Sequence, residues 1–160
     1  MEPAQPSAAA VTGPTRSAPT RSAPTFDARL RAFLERPLFA ALATVDPDGG
    51  PRQAVIWYAL EPDGRILVNS RDGRRWPANL RRDGRASLAI TDLDDPERWL
   101  GLTGRVDAID DDVERAREDI VALAHRYREQ PTADSIATFR SQPRITFRIA
   151  IDGIHDHLED

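Results

Sequence analysis

Two side chains are missing from this 160-residue chain altogether, cysteine and lysine. Without cysteine there are no disulfides, no thiolate nucleophile and no cysteine metal site. Without lysine there is no Schiff-base amine, and all 22 basic residues are arginines that stay charged at any working pH. No run approaches the roughly 20 apolar residues of a membrane span, and the N-terminus carries no apolar signal core. A cytoplasmic location is therefore expected. Net charge is −4 with a pI near 5.4, which gives no global attraction for nucleic acid or anionic membrane, so neither is expected as a partner. Histidines number three. No glycine-rich nucleotide loop, no Ser-His-Asp arrangement and no general acid-base pair is visible.

What is present begins with residues 1–25, rich in Pro, Ala, Ser and Thr and containing the tandem TRSAPTRSAPT. Such a segment has too little apolar area to offset the entropy of ordering, so a disordered leader is expected. From Phe26 the pattern changes. Asp27 opens a helix with Phe26, Leu30, Phe33 and Leu34 on one face, ended by Pro37. Residues 38–45 read as a buried strand, and 51–60 as a second. The turns Asp46-Pro47-Asp48-Gly49 and Glu61-Pro62-Asp63-Gly64 set up an antiparallel meander. Residues 86–90, 99–109 and 144–151 supply further strands. A helix is expected over 110–129, charged in its first turn by three aspartates, and a short one over 134–141. The pattern predicts a mainly β fold with flanking helices, six mostly antiparallel strands closing a small barrel over residues 26–152, and an acidic tail over 153–160.

The stretch from Arg65 to Leu93, RILVNSRDGRRWPANLRRDGRASLAITDL, organises the rest. A strand gives way to a turn bearing Arg71, Arg74 and Arg75, and a short helix follows near Pro77. Backbone N–H groups at a helix start beside fixed guanidinium forks are a physical recipe for gripping a phosphate.

In order along the chain, the LATV–DGxP hairpin, GRRWPANLRRDGRASL and RWLGLTGRV resemble the flavin- and deazaflavin-binding split β-barrel superfamily, typified by pyridoxamine 5'-phosphate oxidase, in its actinobacterial F420-dependent branch. The resemblance spans about residues 27–152. It implies a six-stranded antiparallel split barrel of the FMN-binding type, assembled as a homodimer. It also implies an oxidoreductase that passes a hydride between F420 and a small conjugated or aromatic acceptor, with FMN as the alternative cofactor. A non-catalytic flavin, haem or tetrapyrrole binder is the other class the same barrel serves. Position by position, the resemblance assigns the cofactor phosphate to Arg74 and Arg75, with Asn69 and Ser70 at the strand end. It lays Ala54, Val55, Ile56 and Trp57 along the ring, uses Asn79 to tie down the helix connection, and brings Trp99 near the ring from the partner subunit. Relatives that use the deazaflavin often carry lysine where this chain has Trp76.

Hydride transfer suits a chain with no acid-base pair, because the cofactor carries the chemistry. The histidines add little: His125 falls on a helix, and His155 and His157 lie among tail carboxylates with no third histidine nearby, so no metal is expected.

Overall fold

Asp27 does what its position predicts. Its carboxylate accepts a hydrogen bond from the Leu30 N–H at 2.8 Å and caps helix α1 (Ala28–Glu35), which buries Leu30, Phe33 and Leu34. The structure, a computed structural model, describes residues 24–159. The leader expected over 1–25 therefore lies outside the described residues, apart from its last two.

Strands β1 (Ala40–Val45) and β2 (Pro51–Ile56) follow. Between them the Gly49 N–H donates to the Asp46 carbonyl at 2.9 Å, and Gly49 takes φ +85°, a conformation that favours glycine. Next come β3 (Tyr58–Leu60), β4 (Ile66–Arg71), α2 (Arg75–Arg82), β5 (Arg85–Thr91) and β6 (Trp99–Asp110). Helices α3 (Val113–Tyr127) and α4 (Ala133–Ser141) precede the last strand, β7 (Arg144–His157).

All pairings are antiparallel, in the order β2-β1-β5-β6-β7-β4-β3. Two expectations need correction. The single strand expected over 51–60 is broken at Trp57, so seven strands form rather than six. Its first part pairs with β1 (Val55 opposite Ala41) and its second with β4 (Tyr58 opposite Val68). These two halves are the opposite edges of one sheet, joined by one residue. The sheet must therefore curl until its edges stand end to end, which leaves a barrel split along the Trp57 line. The second correction concerns the end of the chain. Residues 153–157 are strand, with Gly153 opposite Thr103 and His157 opposite Trp99. The reason is the length of β6, whose first half would otherwise be paired on one side only, by β5.

Inside the curl, β1, β4, β5, β6 and β7 contribute Leu42, Ile66, Val68, Leu88, Leu102, Phe147 and Ile149, and Leu80 and Trp76 come from α2. A smaller cluster of Leu67, Ile120 and Leu123 joins α3 to the outer face of β4. Asp112 caps α3, accepting from the Glu114 and Arg115 N–H groups, so the three aspartates precede the helix instead of filling its first turn.

Candidate functional site

Where the sheet splits, a cleft of about 450 Å³ opens between β2, the start of β7 and helices α2, α3 and α4. Six of the ten residues singled out in the sequence line it: Ala54, Val55, Ile56, Trp57, Asn69 and Arg74. The wall is apolar and wide. Trp57 stacks on Tyr127 at 5.1 Å with an 8° interplanar angle and meets Phe139 edge-on at 6.3 Å. Val55 is 75% exposed and Phe39 47%, an apolar lip unusual for a water-facing surface. β2 is an edge strand, so one side of its backbone presents N–H and C=O groups that no other strand takes.

At the other end the cleft is cationic. Arg74 occupies the N-cap position of α2 in extended backbone, with no side-chain cap bond. Arg144, which opens β7, is the larger surprise. It is only 8% exposed, and its Nε is buried with no hydrogen-bond partner. Its Nη1 reaches the Asn69 Oδ1 at 3.4 Å, another Nη reaches Gln142, and the guanidinium lies 5.1 Å over the Phe139 ring. Burial, and after it the charges of Arg74 and Arg71, push its pKa down to about 10. Most described arginines are ion-paired. Among the described residues, however, no carboxylate lies within 4 Å of Arg71, Arg74, Arg128 or Arg144. Arg128 instead sits 5.2 Å over the Trp57 ring.

Asn69 sits in the cleft, but its amide is already committed. Nδ2 donates to the Ala116 carbonyl at 2.8 Å and to the Thr146 Oγ1 at 2.9 Å, which turns Oδ1 toward Arg144. Thr146 in turn donates to Asp119 at 2.7 Å. Asn69 thus orients an arginine and has no free N–H to offer an anion.

The other four residues lie elsewhere. Ser70 is one step along β4, and strand alternation turns it into the barrel, where its Oγ donates to the Arg71 carbonyl. Arg75, the first helical residue of α2, swings to the β1–β2 turn and meets Asp46 at 3.3 Å with its side chain 62% exposed. Asn79 is buried and donates to Thr44 and Asp46, tying α2 to the end of β1. That bond is the foremost cause holding the Asp46 carboxyl below its usual range. Trp99 stands at the start of β6, stacked on His157 in a separate groove.

Sequence reasoning missed Arg144, Phe39, Ile120, Arg128 and Phe139. A signal was there. In RITFRIAI the alternation puts Arg144 and Thr146 on one face, opposite Ile145 and Phe147, and that face reads as solvated. An amphipathic helix such as α3 must cover some face of the sheet, and it covers this one.

The arrangement sets Arg74 and Arg144 at one end of the cleft and an aromatic, largely apolar wall along the rest. A search of curated proteins gives no match. A solved structure named F420 reductase is 26% identical with a TM-score of 0.65, covering 78% of this chain and 94% of its own. A conserved hypothetical protein from Mycobacterium tuberculosis is also 26% identical at TM-score 0.65, covering 84% and 87%. The haem storage protein HutZ from Vibrio cholerae shares the fold at 18% identity and TM-score 0.62, covering 80% and 92%. The model of the pyridoxamine 5'-phosphate oxidase family matches residues 26–157. With that match spanning nearly all the described residues, the chain belongs to the pyridoxamine 5'-phosphate oxidase family.

Proposed function

We propose that the chain is an F420-dependent oxidoreductase that reduces a small conjugated or aromatic acceptor. The observation that carries the reading is the buried guanidinium of Arg144, whose Nε has no hydrogen-bond partner and which meets no carboxylate among the described residues, beside Arg74 at one end of an aromatic cleft. A buried cation without a counter-charge is costly unless a ligand supplies one. Three arginines without carboxylates line this mouth, and the charge of Arg71 is felt at one of them; such a set suits a cofactor that carries a phosphate and an acidic oligoglutamyl tail better than one carrying a phosphate alone. The F420 reductase likeness at 26% identity supports the same choice.

When bound, the deazaflavin supplies a hydride to an acceptor lying on its open face. The chain's own residues do the rest. Arg144 and Arg74 hold the phosphate, with Asn69 fixing the Arg144 fork, and Arg71 and Arg128 face the acidic tail. The free backbone edge at Val55 and Ile56 meets the polar rim of the ring. Trp57, Phe39 and Phe139 keep water from the transfer path. A second copy of the chain completes the site. In a single chain Trp99 lies away from the cleft, so its approach to the ring requires a homodimer.

The test is a fluorescence titration of the purified chain with F420 and, separately, with FMN. Tighter binding of F420 by tenfold or more, weakened by shortening its glutamyl tail, is expected. Equal or tighter FMN binding moves the assignment to an FMN enzyme of the same fold. Binding of neither, with haem bound instead, removes it.

A further inference from the structure

His155 and His157 alternate along β7, so both side chains leave the same outer face of the sheet. Their Nε2 atoms stand 3.1 Å apart. Two metal–imidazole bonds of about 2.0–2.1 Å place their nitrogens about 2.9 Å apart at a 90° angle and about 3.3 Å apart at a tetrahedral one. The observed separation falls between these values, so both lone pairs can meet one ion without moving the backbone.

The rings are also held. The His157 imidazole stacks on Trp99 with centroids 4.4 Å apart and 10° between planes, and His155 meets the same indole edge-on at 5.3 Å. Gly101, opposite His155 on β6, makes this possible: a Cβ there would come within 3.0 Å of the Trp99 ring and 3.2 Å of the His155 Cβ. The intervening Asp156 points to the other face, where Arg29 holds it. Beside His155 lies a groove of about 370 Å³ floored by small residues, including Ser87, Ala89 and Gly153. It leaves the remaining coordination positions open to water.

We infer that His155 and His157 form a two-imidazole claw for a divalent late first-row metal ion, preferring Cu²⁺ in the Irving–Williams order. Without metal, one Nε2–H donates to the other Nε2. With metal, each imidazole carries its proton on Nδ1 and turns Nε2 to the ion. Among the described residues no group of three or more His, Cys, Asp or Glu gathers to hold a metal, so two protein ligands and exchangeable water make up the site. The claw shares Trp99 with the homodimer proposed above, but none of its residues lines the cleft of its own chain, so metal binding is read on the cofactor-free protein.

The experiment is calorimetric titration of the untagged full chain with Cu²⁺ at neutral pH, with tryptophan fluorescence followed in parallel. One equivalent should bind and quench Trp99. His155→Gln and His157→Gln should each weaken binding at least tenfold, His125→Gln should leave it unchanged, and Trp99→Phe should keep binding but lose most of the quenching. Both claw histidines lie on the outer face, and unchanged circular dichroism checks that the variants fold. Absence of saturable binding, full affinity in the His155→Gln/His157→Gln double variant, or an equal loss in His125→Gln would overturn the claw.

Discussion

Arg144 has exchanged hydration for a carbonyl oxygen of Asn69, another of Gln142 and an aromatic face, none of which carries negative charge. The folded state without ligand therefore disfavours its cation, as the downward shift of its pKa states in another form. An Arg144→Met variant keeps most of the volume and drops the charge. It should stabilise the ligand-free chain by about 1 kcal/mol or more, read as a melting temperature higher by roughly 2–4 °C per kcal/mol at this length. The same variant should weaken F420 or FMN binding at least tenfold. A lowered melting temperature with unchanged binding would show that Arg144 serves the fold alone. Arg74→Ala and Arg75→Ala separate in the same assay. Arg74 faces the cleft, and a charge-assisted bond to phosphate is worth roughly 1.5–3 kcal/mol, so its loss should cost ten- to hundredfold in affinity. Arg75 is spent on Asp46 at the surface, and its loss should change affinity by no more than about threefold. The sequence suggested two equivalent arginines because adjacent letters in a turn look alike. The structure distinguishes them, since one is still extended and the next is already helical.

Helix α1 ends against a side chain from α3. The Arg126 guanidinium donates to the carbonyls of Leu34, Glu35 and Arg36 at 2.7–2.8 Å, and its Nε donates to the Tyr58 carbonyl at 3.1 Å. A cation at a helix C-terminus satisfies carbonyls that have no intrahelical partner and opposes the negative end of the dipole. Next to it the Tyr127 hydroxyl donates to the Leu38 carbonyl at 2.6 Å and accepts from the Tyr58 N–H at 3.1 Å. These two residues of α3 thus latch the start of β1 to the strand break at Trp57. Arg126→Met should lower stability by about 2–3 kcal/mol, read as a lower urea midpoint with unchanged slope. At this scale the sequence was readable wherever one element decides its own state. The Asp27 and Asp112 caps, the two Pro-Asp-Gly turns and the alternation of β5 follow from local chemistry. The break at Trp57 does not, because residues 54–60 are one unbroken apolar run with no turn residue in it. It arises only when the two halves find different partners at opposite edges of the sheet.

At the scale of the whole molecule, legibility depended on how many segments had to be brought together. The barrel and the position of the cationic corner showed in the order of strands and turns. The cleft's full lining did not, because it combines β2, β4, β7 and three helices. Asp92 is another such junction. Its carboxylate is buried and joins Arg36 at the end of α1 (2.6 and 2.9 Å) to Arg98 ahead of β6 (3.4 Å). The Arg36 hydrogen bonds, followed by the Asp94 N–H, lower its pKa to about 2. An unfolded aspartate titrates near 3.9, so between roughly pH 4 and pH 2 the unfolded chain binds a proton that the folded chain refuses. Stability from this junction is therefore complete above about pH 4 and is lost as pH falls through the folded value. Thermal melts from pH 6 to pH 2 should show a steep acid limb below pH 4 in the natural chain. In Asp92→Asn the melting temperature should be lower at neutral pH and the limb shallower. A limb of equal steepness in both proteins would assign the acid sensitivity to other carboxylates and leave Asp92 a junction in geometry only.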